Sequence, residues 1–155
     1  FLRVDRMDLV GSYPATVLVT EHVVAEVTAV YPEQSTRLTS AIAGGLVEVL
    51  TVTDLRELQI LARLSDPAGK RLGIGECSAI AVASSRGYAL AIDDKAAIRE
   101  TREAFPTLAI YTTQDLIVLM IRGGIITVAA ADALKDEWGR SHRFKLRIRS
   151  FGDLV

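Results

Sequence analysis

The chain has 155 residues, half of them apolar, with 18 basic and 19 acidic side chains for a formal charge of −1. That size suits one domain with a real hydrophobic core, and the near-neutral balance excludes a global field that would draw nucleic acid to the whole surface. The lone cysteine, Cys77, excludes an internal disulfide framework, Asp115 and Arg122 interrupt the longest apolar run, and no secretory signal opens the chain; a cytoplasmic protein with no membrane span is expected.

Residues 16–20, TVLVT, are β-branched and feed directly into EHVVAEVTAV, a helix for which Thr20 is the expected cap. Strand followed by helix is the order of a parallel sheet. After Pro32 a polar helix runs to about Ala43 and ends at Gly44-Gly45, and LVEVLTV supplies a second strand. Asp54 to Leu64 is amphipathic and helical, and Asp66-Pro67-Ala68-Gly69-Lys70 reads as a turn. A helix from Glu76 to about Arg86, apolar at Ala79, Ile80 and Ala83, is broken by Gly87 before a strand from Tyr88 to Ile92. Lys95 to Ala104 is helical, TLAIYTT is a short fourth strand, and Gln114 to Arg122 forms a helix ending at Gly123-Gly124. The tail beyond Ile125 is read as helical, with the basic, aromatic-bearing stretch WGRSHRFKLRIRS. Alternating strands and helices define an α/β protein.

Glu76 and the pair Asp93-Asp94 are brought together by simple lengths. At about 1.5 Å per helical and about 3.3 Å per strand residue, helix 76–86 and the strand that follows each cover roughly 16 Å. A strand packing back along its helix therefore returns Asp93 and Asp94 to the level of Glu76. Clustered carboxylates raise one another's pKa and await a cation. Glu26, enclosed by apolar residues in VVAEV, lies at the carboxyl edge of the sheet, where open α/β sheets place ligands. Glu21 reads as an ordinary first-turn acid favouring the helix dipole, and Asp94 as the better cap for the helix from Lys95, which leaves Asp93 for the site. Other chemistry has little support. Gly73-Ile74-Gly75 lacks a preceding strand and has Ser78 in place of the third glycine of a dinucleotide loop, and His22 and His142 have no metal-ligand spacing to Cys77. The basic tail is either a phosphate-binding face or a solvated helix face with Trp138 and Phe144 tucked inward.

The blocks VLVTEHVVAEV, GIGECSAIAVA, YALAIDDKAAIRE and LAIYTTQDLIVLMIRGGI, in that order, resemble the PIN-domain family, and most closely its branch of small prokaryotic proteins related to toxin nucleases of toxin–antitoxin pairs. The resemblance runs from about Val4 to Ile126. It implies a three-layer α/β/α sandwich over a central parallel sheet, with a carboxylate cluster that holds magnesium or manganese and hydrolyses RNA. By position, Glu26, Glu76 and Asp93 match the family's catalytic acids and metal ligands, and Asp94 matches a usually acidic position that also serves as a ligand. Glu26, Glu76 and Asp93 are then expected in one cleft, each pair within about 12 Å. Lys95 or Arg99 either faces the scissile phosphate or is a plain exposed base.

There are two departures. The family's first strand, which ends in a metal-binding aspartate, would lie before Phe1, and Asp5 and Asp8 fall in the helix that should follow it. The chain is thus expected to be one PIN-like domain over residues 1–155 whose central strand is missing from the given sequence. Tyr111 stands where the branch has a glycine, which leaves Asp115 an outer acid at most. The resemblance implies an RNA substrate and an antitoxin-like partner, and the apolar strip LIVLMI points to a homo-oligomer or a tightly held partner. The rival expectation, favoured by the missing acid, is a catalytically inactive PIN-like module that binds RNA or protein.

Overall fold

The structure, a computed structural model, describes residues 1–66 and 72–155. The turn expected at 66–70 lies, apart from Asp66, outside the described residues. Helices begin where short polar side chains can take an orphan backbone N–H. Thr20 accepts from the Val23 amide at 3.4 Å, Asp54 from Arg56 at 2.8 Å, Asp94 from Ala97 at 2.8 Å and Thr127 from Ala130 at 3.2 Å. The order is α1 (Met7–Gly11), β1 (Leu18–Thr20), α2 (Glu21–Val30), α3 (Pro32–Ala43), β2 (Glu48–Leu50), α4 (Leu55–Leu64), α5 (Ile74–Arg86), β3 (Leu90–Ala91), α6 (Lys95–Ala104), β4 (Ile110–Tyr111), α7 (Thr113–Arg122) and α8 (Val128–Ser141). Short 3-10 turns at Leu2–Val4 and Phe151–Asp153 flank them. Gly87 closes α5 with φ 70°, a left-handed conformation that a side chain would strain.

The fold is α/β, with short parallel strands among helices. Each strand is shorter than its apolar run. Thr20 pairs with Leu50 and Leu18 with Glu48 in one parallel pair, and Leu90 with Ile110 and Ala91 with Tyr111 in the other. Among the described residues the two pairs do not join into one sheet. A cavity of about 460 Å³ borders both halves, lined by Val17, Val19 and Val47 beside the first pair and by Asp93 and Thr113 at the end of the second.

Helix α5 is the central buried element. Cys77, Ile80 and Ala81 are fully buried, α4 and α2 pack on it, and β3 returns along it. The α4–α5 contact encloses an ion pair: Arg86 Nε donates to Glu57 Oε1 at 2.5 Å and Arg86 Nη2 to Glu57 Oε2 at 3.1 Å, with the Glu57 side chain 1% exposed. A second cluster joins Leu9, Ile117, Met120, Leu134, Trp138 and Phe151. It takes up most of the LIVLMI strip: Ile117 and Met120 are buried, Val118 and Ile121 pack against the cluster, and Leu119 stays exposed. The tail departs from expectation. Helix α8 stops at Ser141, Arg143 takes the left-handed φ of 52°, and residues 144–150 form no helix.

Candidate functional site

Leu72 and Gly73 deliver the start of α5 to β1. Helix α2 leaves β1 at Thr20, and a buried hydroxyl pair, Thr20 Oγ1 and Ser78 Oγ at 2.5 Å, fixes α2 against α5. Ser78 also donates to the Gly75 carbonyl at 2.8 Å. This packing carries Glu26 onto Gly73 and Gly75. The Gly75 amide donates to Glu26 Oε1 at 3.1 Å, and the Gly73 amide donates to Glu76 Oε2 at 3.0 Å. A Cβ at Gly73 would lie 3.2 Å from Glu26 Oε1 and 3.6 Å from Glu76 Oε2, so the two carboxylates flank the same glycine. At Gly75 a Cβ would meet Glu26 Oε2 at 2.5 Å. Glycine is required here for close approach.

Burial pushes the Glu76 carboxyl above its ordinary value, the Gly73 amide partly offsets this, and the charges of Asp94 and Glu26 add to it. Cys77 is likewise raised, first by burial and then by the charge of Glu76, which keeps it a neutral thiol. Asp94 thus caps α6 and also lies in electrostatic reach of Glu76. Asp93 points elsewhere. Its Oδ1 accepts from the Thr113 amide at 2.8 Å and its Oδ2 from the Thr113 hydroxyl at 2.5 Å, which holds it against the first turn of α7 on the wall of the cavity. Successive residues on extended chain face opposite ways, which separates the neighbouring aspartates. Asp115 is taken up locally, its Oδ2 accepting from the Thr112 amide at 2.8 Å and hydroxyl at 2.7 Å.

Glu21 does more than the sequence suggested. Its Oε1 accepts from the Val52 amide at 2.9 Å, tying α2 to the chain after β2, and its Oε2 is buried with no hydrogen-bond partner among the described residues. His22 Nδ1 stands 3.6 Å from Glu21 Oε1. Only the position of Glu21 at a strand end hinted at this; Val52 is distant in sequence. Lys95 and Arg99 are exposed on α6 beside this edge. Among the described residues no group of three histidine, cysteine, aspartate or glutamate side chains is arranged to hold a metal ion. The donor chemistry nevertheless suits a hard divalent cation: every donor is a carboxylate oxygen, and Glu76 is crowded by like charge.

The PIN-domain family profile matches residues 1–138, and with α/β topology and acids at the strand ends the chain belongs to the PIN-domain family. No curated protein and no solved structure gives a match to the chain. PIN domains are typically metal-dependent nucleases that use divalent ions and bind nucleic acid. No helix among the described residues is long and apolar enough to cross a membrane.

Proposed function

We propose that the protein is a magnesium- or manganese-dependent endoribonuclease, the toxin component of a toxin–antitoxin pair acting in the cytoplasm. The observation that carries this reading is the approach of Glu26 and Glu76 across Gly73, with Asp94 close enough to act on Glu76. Glu26 and Glu76 would hold the cation, with Asp93 and Asp94 at the adjoining strand end as further ligands. A bound divalent ion supplies an activated water and screens the phosphodiester charge. The chain's own part is to hold these carboxylates oriented. The Gly73 and Gly75 amides fix one oxygen each of Glu76 and Glu26 and leave the other for a ligand. Lys95 and Arg99 offer positive charge to the substrate backbone next to this edge.

The separation of the two strand pairs by the cavity supports a further part of this reading: an additional apolar strand ending in aspartate fills the space and completes the donor set. Leu55, 70% exposed, and Leu58, 43% exposed, on α4 support a surface for an antitoxin-like partner or a second copy.

The experiment is cleavage of single-stranded RNA with and without magnesium. Cleavage only with the metal, lost in Glu76→Gln while the fold persists, is the expected result. Metal-independent cleavage, or full activity in Glu76→Gln, would contradict the assignment. The second reading, a PIN-like module that binds RNA or protein without cutting, is favoured by the lack of three converging ligands among the described residues. RNA binding with no cleavage in either metal would establish it.

A further inference from the structure

Residues 139–155 lie beyond the stretch that the PIN family covers. Five basic residues, Arg140, Arg143, Lys145, Arg147 and Arg149, fall in this segment, and no acid occurs between Gly139 and Arg149. After Arg143 the exposure alternates residue by residue. Arg143, Lys145, Arg147 and Arg149 are exposed, while Phe144, Leu146 and Ile148 turn inward onto the cluster of Leu9, Ile117, Trp138 and Phe151. This period of two, on chain that is neither helix nor paired strand, makes a strap with one apolar and one cationic side.

The strap is fastened at both ends. At its start the Phe144 amide donates to the Trp138 carbonyl at 3.2 Å, and the two rings meet edge to face at 5.8 Å. At its end Asp132 of α8 accepts from Ser150 Oγ at 2.6 Å and from the Phe151 amide at 3.0 Å, while Lys135 donates to the Arg149 carbonyl. Asp132 is thereby engaged by the strap and by Lys135, and Asp136 lies 3.9 Å from Lys135. Arg149 pairs with Asp153 at 3.3 Å. Arg143, Lys145 and Arg147 form no ion pair among the described residues.

We propose that this strap is a track for the phosphates of single-stranded RNA. Alternate residues on extended chain stand at most about 6.6 Å apart, comparable to neighbouring phosphates on a stretched single strand. A fixed row of unpaired cations of that pitch suits a linear polyanion. The inward packing of Phe144, Leu146 and Ile148 leaves no apolar side chain to enter a lipid surface. The inference deepens the ribonuclease reading and rests on it for the choice of polyanion.

The test is fluorescence anisotropy of a labelled oligouridylate titrated with the full chain in EDTA, so that binding is measured without cleavage, at a series of salt concentrations. Three phosphate contacts predict a slope of log K against log salt of about −2.1, falling to about −0.7 in Lys145→Gln/Arg147→Gln. The charge-preserving pair Lys145→Arg/Arg147→Lys should keep the original slope, and unchanged melting of both variants should show an intact fold. No binding, an unchanged slope in the glutamine variant, or binding to phosphatidylserine vesicles but not to RNA would overturn the proposal. Binding with the predicted slopes but no cleavage in magnesium would uphold the track and refute the ribonuclease. Cleavage with an unchanged slope in the glutamine variant would do the reverse.

Discussion

Replacing Arg86 by leucine should be among the most damaging single changes in α5, because it strands a carboxylate that is otherwise 1% exposed. Arg86 makes two parallel bonds to Glu57, at 2.5 and 3.1 Å, and that carboxylate holds the guanidinium above its already high ordinary value. Removing one partner of a buried pair costs about 3–5 kcal/mol, and since Arg86 is 31% exposed, water can enter at its side and the lower end, about 3 kcal/mol, applies. For a chain of this length that is a melting temperature lower by roughly 6–12 °C. The measurement is thermal unfolding followed by circular dichroism at neutral pH, together with the double variant Glu57→Leu/Arg86→Leu. Replacing both charges with apolar groups removes the stranded carboxylate, so the double variant should recover most of the loss. A single variant within about 0.5 kcal/mol of the parent, or a double variant as unstable as the single, would refute the reasoning.

Gly75→Ala should separate the position of Glu26 from its charge. The added methyl would lie 2.5 Å from Glu26 Oε2, which must swing away, so RNA cleavage should fall on the order of 100-fold with melting nearly unchanged; unchanged cleavage would show that the Glu26 position is immaterial. Glu76 makes stability fall with rising pH, because its folded pKa lies above the ordinary 4.5, and the folded state therefore binds that proton more tightly than the unfolded chain between the two values. Without divalent ions, Glu76→Gln should melt higher than the parent by a margin that grows as pH rises from about 4.5 through the raised value, and magnesium should narrow it. A margin that shrinks over that range would contradict the crowding of Glu76 by burial, Asp94 and Glu26.

The helices were legible in the sequence because their signals are local. Thr20, Asp54 and Asp94 announce starts, the glycines at 44–45, 87 and 123–124 announce ends, and each acts within one turn. Glu76 could be singled out in the same way, as an acid beside a glycine pair in the first turn of α5. The alternation of Phe144, Leu146 and Ile148 was also visible; extending the helical reading past Ser141 concealed it, since the break depends on Arg143 adopting positive φ. What only the tertiary structure decided joins residues far apart in sequence. Glu57 and Arg86 are paired by α4 docking on α5, and Glu26 reaches Gly75 because the Thr20–Ser78 hydroxyl pair fixes α2 against α5. That Asp94 caps α6 was legible from its place just before Lys95, but what Asp93 binds was beyond any local rule. That Asp93 binds Thr113, while Asp94 lies within electrostatic reach of Glu76, is set by where β3 lies against α5 and α7, a placement that long-range packing alone supplies.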